Sequence, residues 1–335
     1  MSQLDELGIS TGILYELPSP KNFRTLLTAL GDIVSEVTLK FNENGLYICE
    51  YPLSTDIVIT VNIDPKKLEH HYEIKNGESF KMTFEATQLI KYISVLPNEL
   101  PTIMYYDYNQ TESPCMHLKS VDKSGGHTGS GRINTLNESE VGDLDVEFPA
   151  LFRVELQATE FLRLINNMTS IGGQRGKMEL KLSIGGDESE VDYVEINVLD
   201  ENNPQIGWNE RFESVTTDLT AREKYEHVPS TPITTIDCND DPCNQESFDL
   251  ISRQDDVRPK KRRRFETNDT SGSKIEFSNM YRVYRFKCIG KIVSMASTVE
   301  LVFIKLDIGT VAFTIQMDVP NLGTVVVMLS DMENE

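Results

Sequence analysis

Phe23-Arg-Thr-Leu-Leu-Thr-Ala-Leu-Gly-Asp-Ile-Val-Ser-Glu36, followed by Phe41-Asn-Glu-Asn-Gly-Leu46, is the stretch that decides the fold. Within Lys21 to Val34, Phe23, Leu26, Leu27, Leu30 and Ile33 recur at the i, i+3, i+4, i+7 spacing of a helix with one buried face. Val37–Phe41 and Leu46–Glu50 then alternate apolar and polar residues on either side of Asn42 to Gly45. That pattern predicts a β-hairpin with Asn44-Gly45 at its turn.

The same order continues downstream. Ile57–Ile63 reads as a strand. Glu85–Leu96 reads as a second amphipathic helix through Leu89, Ile93 and Leu96, stopped by Pro97. Strands are expected at Thr102–Tyr108 and Cys115–Val121. A third helix, capped by Thr159, carries Phe161, Leu164, Ile165 and Met168. Strand-like segments follow at Lys177–Ile184 and Val191–Leu199. A fourth helix near Tyr284–Met295 uses Cys288, Ile289 and Ile292, and strands close the chain at Val299–Asp307, Val311–Met317 and Thr324–Leu329.

The helix pairs start about 64 and about 123 residues apart. The excess lies between about residues 220 and 272, which are polar, strongly charged and punctuated by Pro229, Pro232, Pro242 and Pro259. Such composition buries too little apolar surface to offset its ordering entropy, so a disordered insertion is expected there. Without it the second spacing shrinks to about 70, and the chain reads as an internal duplication. The expected division is 1–136, a connector at 137–150, and 151–335 carrying the insertion. Asp122–Gly131, rich in Gly and Ser, reads as a hairpin loop.

Composition narrows the function. There are 32 basic and 53 acidic residues, a formal charge of -21, which repels nucleic acid unless basic residues are concentrated locally. No apolar run approaches the length needed to cross a bilayer, so no membrane partner is expected. Five scattered cysteines suggest reduced thiols, and Cys238 with Cys243 lacks a second ligand pair for zinc. His70-His71 reads as a solvated polar turn. Ile171–Gly176 lacks the strand-before, helix-after setting of a phosphate loop. No nucleophile–base pair stands out, so neither catalysis nor a cofactor is expected.

These segments, in this order and spacing, resemble DNA sliding clamps of the proliferating-cell-nuclear-antigen type. The resemblance is carried by Phe23–Glu36 with the Phe41–Leu46 hairpin and by Glu160-Phe-Leu-Arg-Leu-Ile-Asn-Asn-Met-Thr-Ser-Ile-Gly172. Asp143-Leu-Asp-Val146 and the segment from Ser297 to Glu335 carry it further, and it covers most of the chain outside 1–12 and 220–272. It implies an α+β fold of two duplicated clamp domains, with helices lining a channel and antiparallel sheets outside, forming a pseudo-sixfold ring as a trimer. The implied function is that of a processivity factor: a ring that encircles duplex DNA without reading its sequence. It would dock a DNA polymerase, a clamp loader and other replication or repair proteins through short peptide motifs.

The implied channel residues are Lys21, Arg24, Lys91, Arg163, Arg285, Lys287 and Lys291. Taken singly, each also suits the solvated face of an amphipathic helix. The lining is thin, because Gly31, Ser94 and Asn166 stand where the family often has Lys or Arg. The implied partner pocket comprises Tyr51, Pro52, Ile57, Leu144, Val146, Met328 and Ser330, with Asp56 and Met328 departing from the family pattern. Self-association would pair edge strands near Arg132–Leu136 and Arg211–Thr217. The basic run Lys260, Lys261, Arg262, Arg263 and Arg264 reads as a nuclear-localisation signal, placing the protein in the nucleus, or a host nucleus for a viral member. The divergence suits a large DNA virus of eukaryotes. A subunit of a heterotrimeric checkpoint-type clamp and a non-clamp nuclear regulatory adaptor are the alternatives.

Overall fold

The computed structural model describes residues 2–50, 57–77, 79–109, 114–122, 126–136, 150–172, 176–184, 193–199, 207–213, 275–307 and 310–329. Its first elements are α1 (Gln3–Glu6), β1 (Gly12–Leu17), α2 (Pro20–Gly31), β2 (Glu36–Asn42), β3 (Gly45–Glu50) and β4 (Ile57–Ile63). They are followed by β5 (Tyr72–Lys75), β6 (Ser79–Glu85), α3 (Ala86–Ser94), β7 (Thr102–Asp107), β8 (Cys115–Val121) and β9 (His127–Asn134). Next come β10 (Ala150–Gln157), α4 (Ala158–Gly172), β11 (Lys177–Ile184), β12 (Tyr193–Leu199), β13 (Gly207–Glu213) and β14 (Ile275–Arg282). A 3-10 turn (Val283–Arg285) leads into α5 (Phe286–Val293), and β15 (Thr298–Asp307), β16 (Thr310–Val319) and β17 (Gly323–Leu329) close the chain. The fold is mixed α and β with antiparallel sheets, and no described helix is long and apolar enough to cross a membrane.

Three sheets carry the strands, in the orders β5-β1-β7-β8-β9, β10-β15-β16-β17-β4-β3-β2-β6 and β13-β12-β11-β14. The pairings repeat along the chain. β1–β7–β8–β9 are neighbours in one sheet, and β10–β15–β16–β17 in another, each group preceding or flanking a helix in the same way. Likewise β6–β2–β3–β4 is matched by β14–β11–β12–β13. The eight-stranded sheet is continuous because β17 pairs with β4, Val325 opposite Val61 and Leu329 opposite Ile57.

The helices form where expected, for local reasons. Ser19 caps α2 by accepting from the Lys21 amide, and Pro20 occupies its first turn, where no amide donor is missed. Phe23, Leu26, Leu27 and Leu30 are buried on one face of α2, Leu89 and Ile93 on α3, and Phe161, Leu164, Ile165 and Met168 on α4. α3 packs on α2, α2 on α5 and α5 on α4, so the four form one layer in that order. Buried residues from Ile13 to Leu329 join in one large apolar cluster that takes in all four helices of the layer and strands of all three sheets.

Several elements depart from the sequence reading. The hairpin turn is Glu43-Asn44, not Asn44-Gly45: Asn42 pairs with Gly45, which takes a φ of +130° as the first residue of β3. Of the Gly- and Ser-rich stretch expected as a hairpin loop, Asp122 and Gly126 do close a turn between β8 and β9, but His127–Gly131 belong to β9, where Gly129 and Gly131 pair with Ser120 and Leu118 of β8. Thr159 lies inside α4, which starts at Ala158. β1, β5, β6, β10 and β14 have no counterpart among the expected elements. The polar N-terminus also folds: Leu4 and Ile9 pack on Leu14 with Ile103 and Tyr105. The Glu73 carboxylate accepts from the Gln3 and Leu4 amides at 2.9 and 3.1 Å. His70 is not solvated, since its Nδ1 lies 2.8 Å from the Tyr15 hydroxyl and burial holds its pKa below the usual range.

One buried carboxyl costs stability. Glu50, 5% exposed, ends β3 and accepts from the Thr38 amide at 2.6 Å. Burial pushes its pKa from 4.5 up to about 7, outweighing that hydrogen bond. The folded chain therefore binds this proton more tightly than the unfolded chain. The associated stability is full below about pH 4.5 and is lost as pH rises through about 7. Glu50→Gln keeps an acceptor for the Thr38 amide and removes the charge. Thermal melts should show the variant more stable by roughly 1–3 kcal/mol at pH 8 and little changed at pH 4.5. Equal effects at both pH values would contradict the assignment.

Candidate nucleic-acid interface

The four helices and the 3-10 turn contain seven basic residues and one acidic residue, Glu160, in a chain whose formal charge is -21. The layer thus concentrates positive charge against the trend of the molecule. Because each helix turns its apolar face to the sheets, its polar face is the outer side of the layer.

The seven residues differ in what holds them. Lys21, Lys91 and Lys287 are exposed, and none makes an ion pair among the described residues. Arg163 is exposed but donates to the Glu210 carboxylate of β13 at 2.7 Å. Lys291 pairs with Asp32 just past the end of α2, linking α5 to α2. Arg24 is half-buried and donates through one Nη to the Ile93 and Leu96 carbonyls at 2.6 and 2.7 Å. It thereby fastens α2 to the end of α3 and the turn that follows it.

Arg285 is removed from the set. It is only 2% exposed, and the 3-10 turn buries it while leaving its neighbour Tyr284 exposed. The sequence sets it on the fourth helix near Tyr284–Met295, but the α-helix begins only at Phe286. The free positive charge of the layer therefore rests on three lysines spread over three helices, with Arg163 and Lys291 partly neutralised.

Of the expected partner pocket, Ile57 is buried in the β4–β17 pairing, opposite Leu329, so its side chain belongs to the core. Met328 is half-buried opposite Val58. Tyr51, Pro52, Leu144, Val146 and Ser330 lie outside the described residues, as do Lys260 to Arg264 and the 220–272 segment. Among the described residues no group of His, Cys, Asp and Glu is arranged to hold a metal ion.

The expected edge strands at Arg132–Leu136 and Arg211–Thr217 overlap the observed ones only in part, since both edges begin earlier. β9 spans His127–Asn134 and ends the five-stranded sheet; β13 spans Gly207–Glu213 and ends the four-stranded sheet. No periodicity marked either strand, because β9 is glycine-rich and β13 carries charge at Glu210, Arg211 and Glu213.

No protein-family model matches the sequence, and no curated protein is significantly similar to it.

Proposed function

We propose that the chain is a subunit of a DNA sliding clamp: a trimeric ring that encircles duplex DNA and holds replication proteins on it, without catalysis of its own. The observation that carries this reading is the helical layer α3-α2-α5-α4, which with its 3-10 turn holds seven basic residues against one acidic residue on one side of antiparallel sheets, in a strongly acidic chain. The pairing scheme supports it. Two sets of strands with the same neighbours are read as two clamp domains joined by β17 and β4. β9 and β13 are the strands left without that partner, so copies of the chain can join head to tail.

Sliding sets the chemistry. A ring that must move needs attraction that is weak, long-ranged and blind to base sequence, which phosphate-directed lysines supply. Lys21, Lys91 and Lys287 are flexible point charges with no fixed partner among the described residues, so they can exchange phosphates as the duplex passes. The acidic remainder of the surface discourages binding of DNA anywhere else. Docking of a polymerase and loader through short motifs and nuclear import through Lys260–Arg264 belong to the same reading and rest on the family resemblance.

The test is topological. The protein, loaded on nicked circular duplex, should stay bound through a high-salt wash and leave when the circle is linearised. Equal loss from circles and linear DNA would overturn the proposal.

A further inference from the structure

The face of β7, β8 and β9 turned away from the helices gathers cationic side chains in a chain of formal charge -21. Alternation along the strands sends Met104, Met116, Leu118 and Ile133 into the core and leaves Tyr105, His117, Lys119, Ser130 and Arg132 on the outer side. Pairing sets Tyr105, His117 and Arg132 in one row across the three strands, with Lys119 opposite Ser130 in the next row. A shallow pocket opens there between β8 and β9, bounded by His117, Lys119, Ser130 and Arg132.

Its walls are in place before any ligand arrives. The Tyr105 and His117 rings stack with their centroids 4.7 Å apart and their planes 7° from parallel. The Lys119 ammonium lies 4.8 Å from the centre of the Tyr105 ring. Tyr105 in turn packs against the Leu4, Ile9 and Leu14 cluster. Groups already ordered in this way lose little freedom when a ligand binds. The cations also converge. Burial, then Arg132 and Lys119, hold the His117 pKa below its usual range, and Asp107, the acidic side chain that opposes them, acts least.

We infer that this pocket binds a phosphoryl group carried on a peptide, so that the outer face of β7–β9 docks a phosphorylated segment of a partner protein. The pocket lies within one copy of the chain and needs neither a ring nor DNA.

Donor number selects phosphate over carboxylate. The Arg132 fork, the Lys119 ammonium, the His117 ring and the Ser130 hydroxyl surround one small space, more donors than the two oxygens of a carboxylate engage. A phosphoryl group brings three oxygens and nearly two charges.

The setting selects a compact anion over a polyanion. Glu16 stands opposite Ile103, Glu73 opposite Leu14, and Asp107 two residues from Tyr105, all on this same face. A nucleic acid laid across the sheet would bring further phosphates onto those carboxylates, whereas a single phosphoryl group meets only the cations. The stacked Tyr105 and His117 rings beside the pocket offer peptide residues flanking the phosphate an apolar platform, which free phosphate cannot use.

The test offers the immobilised full chain a degenerate peptide library with one fixed phosphoserine, and the same library with serine or glutamate at that position. Retention of the phosphoserine library should exceed that of either other by about tenfold. Lys119→Met and Arg132→Met should each lower it by roughly tenfold. Arg132→Lys, which keeps the charge but not the fork, should recover part of the loss and holds the test open if Arg132→Met fails to fold. Equal retention of the glutamate library, or retention that survives both methionine variants, overturns the proposal. Displacement of the peptides by inorganic phosphate at equal concentration would mark a free-anion site, and displacement by a short oligonucleotide a nucleic-acid site; either result overturns it too.

Discussion

Replacing Lys21, Lys91 and Lys287 together with glutamate should weaken reversible binding to short linear duplex by roughly 100-fold at physiological salt, with no change in the mass of the assembly. The three side chains are exposed and unpaired among the described residues, so reversing them removes no internal contact of the fold. Each contributes to attraction by displacing a counterion from the phosphate backbone. Losing three per subunit should make the plot of log affinity against log salt shallower by about 3 for each subunit. Arg24→Gln is the informative contrast. Its guanidinium is committed to the Ile93 and Leu96 carbonyls, so the change should cost about 1–3 kcal/mol of stability with little effect on the salt slope. If Arg24→Gln weakened binding to linear duplex as much as the lysine reversals, positive charge in the layer would be acting without regard to exposure. The assignment of roles would then fail.

Gly323→Ala should be the most damaging single-methyl change where β17 meets β4, lowering stability by about 2–4 kcal/mol. Gly323 opens β17 with a φ of +94°, a conformation that side-chain-bearing residues rarely adopt. An added β-carbon would also lie 2.3 Å from the Asn62 carbonyl oxygen of β4, so the two strands must part in the middle of the eight-stranded sheet. Nearby, Asn22 of α2 donates to the Pro320 carbonyl at 2.7 Å and would lose its anchor in the same movement. Gly290→Ala provides the control. There the new methyl meets Ile165 at 3.5 Å, an ordinary contact, and a helical glycine is replaced by a better helix former. It should be neutral or stabilising by up to about 1 kcal/mol. Urea unfolding of both variants decides the point, and equal midpoints would refute the strained-joint account.

The helices were the most legible part of the sequence, because each buries one face and repeats that face every three to four residues. Phe23, Leu26, Leu27 and Leu30 spell out α2 without reference to anything else in the chain. Strands made by their neighbours were not legible. β9 reads His-Thr-Gly-Ser-Gly-Arg-Ile-Asn, a loop by composition, and becomes a strand only because β8 pairs along it. β10 carries two charges in eight residues and depends in the same way on β15. The basic helical residues were legible as a set, but their separate duties were not. Sequence spacing cannot tell a lysine facing solvent from Arg24 reaching two carbonyls of the next helix, or from Arg285 buried by a 3-10 turn. The short N-terminal helix was hidden for a related reason: the carboxylate that satisfies its first amides, Glu73, comes from about 70 residues away.

The central claim, that the protein holds DNA by enclosing it, is tested most directly by loading the chain on nicked circular duplex and cutting the circle once after a high-salt wash. A closed ring predicts that protein remaining on the intact circle is released promptly by the cut, while uncut circles keep it. Release before the cut, or retention after it, would contradict enclosure.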